Sequence, residues 1–193
     1  MKAKDIFNFL INPFNKFAGW QAFGIGLIFL LISGYVGALS GVYFDGVIDA
    51  HFYHKYDYKM SIVFIVINII SLTILMSLAG ILFSKKFRFI DILGTMTLAQ
   101  APSIFIALLG FLINEQILSD ININPFAILN YGIFIIYTIA CLPFIIWKIV
   151  LMYYGFSVSC NIKGTKNMII FITILVLSEI LSKILAYAIY FYI

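Results

Sequence analysis

Charged residues are scarce in this chain of 193 residues: Asp, Glu, Lys and Arg together make up 10% of it, whereas hydrophobic residues make up 64%. A soluble domain carries about 25% charged and about 45–50% apolar residues. The mean hydropathy is +1.11. This composition excludes an ordinary soluble domain and predicts a polytopic helical membrane protein.

Residues that carry catalytic or redox chemistry are also few. The two cysteines, Cys141 and Cys160, lie in one apolar region, and a helix there would hold them beyond disulfide reach. There is no H-E-x-x-H pattern and no serine in a nucleophile elbow. The basic residues flank apolar runs, so the net charge of +4 does not indicate nucleic-acid binding. We therefore expect no enzyme, no cofactor and no nucleic-acid partner.

Long apolar runs fill most of the chain. Each of them can cross a bilayer core of about 30 Å, which takes roughly 20 helical residues. The fold class predicted is an all-α, polytopic integral membrane bundle of five transmembrane helices. The predicted spans are residues 20–44, 60–83, 92–113, 126–160 and 167–193.

Two regions leave the boundaries of this bundle open. Residues 1–19 alternate apolar side chains with Lys and Asn, which is typical of a segment lying in the headgroup layer. Residues 126–162 form either one long helix, kinked at Pro143, or a span followed by a surface piece. A single span is favoured because the second half is short for another crossing.

Orientation follows from the lysines and arginines. With five spans, most of them fall on the side of the N-terminus, and only Lys55 and Lys59 fall on the other. The positive-inside rule then predicts a cytoplasmic N-terminus and a C-terminus outside. The residues on the predicted cytoplasmic side are Lys2, Lys4, Lys16, Lys85, Lys86, Arg88, Lys163 and Lys166.

Small residues mark the helix faces that are expected to pack closely. Ser33, Gly37 and Gly41 recur every four residues in the first span. The third span carries Gly94 and Pro102 and has small or hydroxyl residues on all its sides, which predicts a place at the centre of the bundle. The leading hypothesis is a non-enzymatic membrane protein that acts through helix contacts with itself or with another membrane protein, in the lipid bilayer.

Ionisable and amide side chains inside the spans are candidates for function, because they are costly in lipid unless they are paired. Glu179 and Lys183 have the spacing of an ion pair on one helix. One interpretation is a self-neutralised pair, with neighbouring hydroxyls holding Glu179. The alternative is a small transporter or channel that uses Glu179 facing Asn68, Gln100 or Thr97.

The polar loop at residues 45–59 contains three aspartates and two histidines. Asp49, His51 and His54 could bind a divalent metal in an outer-face enzyme. Their spacing matches no structural zinc pattern, and a solvated loop at the membrane surface explains the same residues. We expect no metal site there.

Three local patterns resemble the Yip family, membrane proteins named for interaction with Rab-type GTPases. Asn12-Pro13-Phe14 with Phe17 is similar to the lead into that family's first span. Phe87 to Gly94, followed by Ala99-Gln100-Ala101-Pro102, resembles the central span of the family. Trp147 to Leu151 with Gly155 and Lys163-Gly164 resembles its Trp-x-x-x-Leu…Gly segment.

The resemblance implies five spans, a cytoplasmic N-terminus, no cofactor and no catalytic residues. The region before the first span is short here, as in prokaryotic members of the family. A Rab-type GTPase partner is therefore not expected, and the expected location is a bacterial inner membrane.

Overall fold

The computed structural model describes residues 3–53, 57–84, 87–124 and 131–190. The fold is all-α, with 81% of residues in helices. Short 3-10 turns at Pro13–Asn15 and Gly110–Leu112 complete the helical structure. In chain order the elements are α1 Ala3–Ile11, α2 Gly19–Ser40, β1 Val42–Tyr43, β2 His51–Phe52, α3 Tyr58–Phe83, α4 Phe89–Leu98, α5 Ser103–Leu109, α6 Glu115–Ile123, α7 Gly132–Cys160 and α8 Gly164–Tyr190.

Among the described residues, five helical segments are long and apolar enough to cross a membrane, which confirms the predicted architecture at this level. They are α2, α3, the combined segment Phe89–Leu112, α7 and α8. In its 18-residue apolar stretch the combined segment has 67% of its residues buried, against 17% for α7, so the third segment does occupy the centre of the bundle. Helix α7 is continuous through Pro143, so the chain does not form a second hairpin there. The predicted start of this span at residue 126 lies outside the described residues.

The central segment was predicted to be a single helix. The structure differs, because the helix tightens at residues 99–102. Ala101 N donates to Leu98 O at 3.0 Å and Ser103 N donates to Gln100 O at 2.9 Å, the three-residue spacing of a 3-10 turn. Pro102 has no N–H for the ordinary helical bond. The tightened turn joins α4 to α5.

Helices α2 and α4 cross at close range in the bundle core. A Cβ at Gly26 would lie 2.5 Å from Leu98 N, and one at Gly94 would meet Gly19 O and Phe23 N. Only glycine leaves room for backbones at this separation. The crossing therefore depends on Gly26 as well as on the predicted Gly94.

The N-terminal segment packs against the bundle. Helix α1 ends before the Asn12-Pro13 step, and Phe14 is inserted into the core with 2% of its surface exposed. Trp147 Nε1 on α7 donates to Leu10 O at 2.8 Å. Ile6, Phe7 and Leu10 remain exposed.

Helix α6 was not predicted and lies between the third and fourth predicted spans. Asn114 Oδ1 accepts a hydrogen bond from Ile117 N at 2.9 Å and so caps the first turn. The buried Ile117 then holds the helix against the bundle. An N-cap three residues before an apolar side chain was the signal for it.

The outer faces of α7 and α8 carry rows of exposed large apolar side chains. On α8 these include Ile169, Ile172, Val176, Ile180 and Ile184. In water such rows would be strongly unfavourable, whereas lipid tails accommodate them.

Candidate functional site

A short β-hairpin, residues 42–52, folds back into the bundle and forms the centre of the site; we call it the inserted hairpin. Its strands pair antiparallel, with Val42 opposite Phe52. Gly41 begins the reversal in the left-handed conformation, with φ at 74°. The first span was predicted to run to residue 44, but α2 ends at Ser40, and the buried Val42–Tyr43 strand already belongs to the hairpin. The expected solvated loop at residues 45–59 is wrong for its first part, because Val47 is 0% exposed and Asp49 is only half-exposed.

Asn68 on α3 holds the inserted hairpin by its backbone. Its Nδ2 donates to Phe44 O at 2.6 Å and to Gly46 O at 2.9 Å. A buried amide needs such partners, since an unpaired polar group in lipid or in a core is costly. The sequence identified Asn68 as a residue that needs a partner, but not the hairpin as that partner.

Glu179 on α8 also binds the inserted hairpin. Its Oε2 accepts a hydrogen bond from Ile48 N at 2.8 Å. The expected hydroxyl partners are wrong: Ser178 Oγ donates to Ile174 O, and Ser182 Oγ to the backbone oxygen of Glu179. Both hydroxyls are used by their own helix, so Glu179 is held by the hairpin instead.

The Asp49 carboxyl, on the inserted hairpin, contacts the carboxyl of Glu179. Asp49 Oδ1 receives no hydrogen bond from a donor among the described residues. A Cβ at Gly46 would collide with Asp49 Oδ1 and Glu179 Oε1, so glycine leaves the space in which the two groups meet. Two carboxyl groups in contact form a site that binds one proton, because a proton between them removes their repulsion.

Lys183 neutralises this pair mainly through Asp49. Its Nζ lies 2.6 Å from Asp49 Oδ2 and 3.9 Å from Glu179 Oε1. The expected self-neutralised pair on one helix is therefore only the weaker of the two contacts. The stronger one ties α8 to the inserted hairpin.

Lys148 adds a second cation from α7. It is 1% exposed, and its Nζ lies 5.7 Å from the centre of the Phe44 ring, a distance that allows a cation–π contact. It also interacts electrostatically with Glu179 and Asp49. Three elements thus bring Asp49, Glu179, Lys148 and Lys183 together, and we call these four residues the charged cluster.

A second group of polar side chains lies on the inserted hairpin beside the charged cluster. His51 Nδ1 lies 2.8 Å from Asp45 Oδ1, and Tyr53 Oη donates to Asp45 Oδ2 at 3.3 Å. The hydrogen bond to Asp45 raises the pKa of His51 above its ordinary value of 6.5, although burial opposes this shift. Burial, together with the Asp45 carboxylate, raises the pKa of Tyr53.

The pKa of Asp49 shifts in the opposite direction. Burial raises it, but the bond to Lys183 and the contact with Glu179 outweigh burial and hold the pKa below its ordinary value of 3.8. Asp49 is therefore the member of the carboxyl pair that favours the ionised form.

This geometry does not support the interpretation of the loop as a metal site. Ligand atoms of Asp45, Asp49 and His51 do lie within 4.8 Å of one another. However, Asp45 already pairs with His51 and Asp49 with Lys183, so these ion pairs account for the short distances. His54, the third residue of the predicted metal site, lies outside the described residues.

A cavity of about 360 Å³ lies beside the charged cluster, at the end of the bundle where α7 begins. Asp49 and His51 contribute the polar part of its wall. Phe52, Phe134 and Tyr137 contribute aromatic rings. Asp49 lines the cavity with a side chain that is 39% exposed.

The other predicted residues lie around this site rather than in it. Gln100 is 4% exposed, and with Asn68, Ser33 and Ser103 it borders a cavity of about 10 Å³. A Cβ at Gly37 would lie 2.5 Å from Val42 O, so Gly37 packs against the inserted hairpin and not against another helix. Pro102 is buried in the tightened turn. Thr97 Oγ1 donates to Leu93 O and does not face Glu179.

The sequence analysis named Asp49 only as a candidate metal ligand, and it assigned neither Asp49 nor Lys148 to a site with Glu179. The available signal was physical, because an ionised group inside a span needs a counter-charge. Neither the loop acid Asp49 nor the helix lysine Lys148 had been assigned a charged partner. Nothing in the local pattern of residues 42–52 distinguishes an inserted hairpin from a surface loop.

The fold and site together define a helical protein with five membrane-length segments and a charged cluster around an inserted hairpin. Comparison of the chain with models of known protein families, with curated proteins and with solved structures finds no match.

Proposed function

We propose that the protein is an integral membrane protein of the Yip type, with five spans, a cytoplasmic N-terminus and the inserted hairpin on the outer side of a bacterial inner membrane. The exposed apolar rows of α7 and α8 and the distribution of lysines support this placement.

Within that membrane, the function that the site supports best is proton-coupled transport through the bundle. The observation that carries this proposal is the contact between the carboxyl groups of Asp49 and Glu179, which come from different elements and share Lys183. An intramembrane carboxyl group that meets another at the end of an accessible cavity is typical of a proton relay. No cofactor or catalytic residue is needed for this function.

The proton enters through the outer cavity and binds between Asp49 and Glu179. Because Asp49 favours the ionised form, the proton resides on Glu179. There it weakens the hydrogen bond that Glu179 accepts from Ile48 N, which is one of the side-chain links between α8 and the inserted hairpin. The hairpin then loosens from α8, and the path from the cavity toward Asn68 and Gln100 opens. A small solute that fits the outer cavity is carried with the proton.

The other hypothesis, action through helix contacts with a membrane partner, depended on the small residues. Gly37, Gly41 and Gly94, on which it rested, all contact the chain itself. These residues therefore explain the packing of the bundle and give no separate support for a partner. Self-association through the exposed faces of α7 and α8 remains compatible with transport.

Proton flux into proteoliposomes, driven by a membrane potential and reported by a trapped pH-sensitive dye, tests the proposal. We expect the wild type to give a pH-dependent flux that Glu179→Gln abolishes while the protein stays folded. Asp91→Asn is the matched control, because Asp91 is a half-buried carboxylate on α4 that is not part of the charged cluster. A wild type that carries no protons under any gradient would overturn the proposal.

A further inference from the structure

A second cavity, of about 270 Å³, lies between the N-terminal segment and the bundle. Its described lining consists of apolar side chains from α1, the Pro13 turn, α2, the α4–α5 turn, α5 and α7. Ile25, Ala101, Phe105 and Trp147 form much of the wall. It is separate from the charged cluster, since none of the cluster residues lines it.

Water is a poor occupant of this cavity. A water molecule inside a protein needs two to four polar partners, and the wall exposes only apolar atoms. An apolar chain, in contrast, gains dispersion contacts with the aromatic and aliphatic side chains on all sides. The cavity therefore suits a hydrocarbon ligand.

The wall that α1 provides is fixed in place. Trp147 Nε1 donates to Leu10 O at 2.8 Å, and the neighbouring Phe14 is buried in the core. The rings of Phe9 and Phe17 pack edge to face with their centres 6.0 Å apart. These contacts keep the N-terminal segment over the cavity.

A cation lies at the edge of the same wall. Lys16 Nζ lies 5.2 Å from the centre of the Phe9 ring, and Phe9 lines the cavity. Lys16 is exposed, so its ammonium group is free to bind an anion at the membrane surface. Basic side chains at such positions bind the headgroups of anionic lipids.

We propose that this cavity binds one anionic phospholipid, with an acyl chain in the apolar space and the phosphate on Lys16. The proposal depends on the membrane placement given above and not on transport. Its ligand is a two-part molecule, so the two parts of the site are testable separately.

Native mass spectrometry of the full chain, with phosphatidylglycerol or phosphatidylcholine added to the detergent solution, tests the site. We expect one retained phosphatidylglycerol, preferred over phosphatidylcholine by about fivefold, the effect of one lysine near a membrane surface. Ala101→Trp fills the cavity and should abolish retention of both lipids. Ile25→Trp fills it from another helix, so a folding failure of one variant leaves the test intact.

Lys16→Gln should keep a bound lipid and lose the preference for phosphatidylglycerol. The matched controls are Ala188→Trp, at an exposed position on α8, and Lys59→Gln, at the other end of the bundle; both should behave as the wild type. Equal retention of both lipids by the wild type, or undiminished retention in the cavity-filling variants, would overturn the proposal.

Discussion

Lys183 on α8 lies 2.6 Å from Asp49 on the inserted hairpin but 3.9 Å from Glu179 on its own helix. The shorter contact joins two elements that are far apart in the sequence. The helix spacing of Glu179 and Lys183 is therefore secondary, and the main role of Lys183 is to hold the hairpin against α8.

Replacing Lys183 by methionine should loosen the inserted hairpin. The substitution leaves Asp49 and Glu179 in contact with no cation on α8 to neutralise them. Because the side chains of Lys183 and Asp49 are 41% and 39% exposed, solvent reduces the effect to a loss of about 1–2 kcal/mol. Thermal unfolding in lipid nanodiscs, with protease cleavage in the hairpin as a second reading, measures it.

The double variant Lys183→Met, Glu179→Gln is the control for charge. It removes the repulsion along with the cation, so it should be more stable than Lys183→Met alone. If the two variants unfold at the same temperature, the cation does not act on the carboxyl pair.

Two glycines on α2 should respond oppositely to alanine. Gly26→Ala places a Cβ 2.5 Å from Leu98 N, which should cost about 1–3 kcal/mol by overpacking the α2–α4 crossing. A Cβ at Gly24 meets nothing within 4 Å, so Gly24→Ala should gain up to about 1 kcal/mol through helix propensity. Thermal unfolding of both variants compares them directly, and equal effects would contradict the described crossing.

The helices were largely predictable, because a long run of apolar residues with few charges satisfies its backbone hydrogen bonds in a membrane by forming a helix. The central position of the third span followed from its small and hydroxyl residues on all sides. The tightened turn at residues 99–102 did not, since Pro102 alone does not fix whether a helix kinks or tightens.

The site was predictable only in part. Glu179, Lys183 and Asn68 could be identified as polar residues that need partners in an apolar setting. Their partner is the inserted hairpin, whose buried residues Val42 to Phe44 follow no distinctive sequence pattern. The contact between Asp49 and Glu179 joins residues separated by more than half of the chain. Long-range pairing of this kind leaves no local signal.

Lys148→Met should shift the pH dependence of proton flux. Lys148 is a buried cation that interacts with Glu179 and Asp49, and its charge favours their ionised forms. Without it the pair binds its proton more readily, so the half-maximal flux should move to higher pH. The flux assay measures the shift, and Lys166→Met, on the exposed first turn of α8, is the control that should leave the curve unchanged.

His51 should make the hairpin weakly sensitive to alkaline pH. Its pKa is raised because the imidazolium bonds to Asp45, so the stabilisation is complete below the ordinary value of 6.5. It is lost as the pH rises through the pKa in the folded protein. The hydrogen-exchange protection factors of residues 42–52, corrected for the intrinsic pH dependence of exchange, should therefore fall across that range in the wild type, and His51→Gln should remove the fall.

The central claim is that Asp49 and Glu179 bind one exchangeable proton between them. Infrared difference spectroscopy of the protein in membranes, recorded between mildly alkaline and mildly acidic pH, measures this most directly. The account predicts a protonated-carboxyl band that appears on acidification in the wild type and in Asp91→Asn but is absent from Glu179→Gln. An identical band in Glu179→Gln would contradict it.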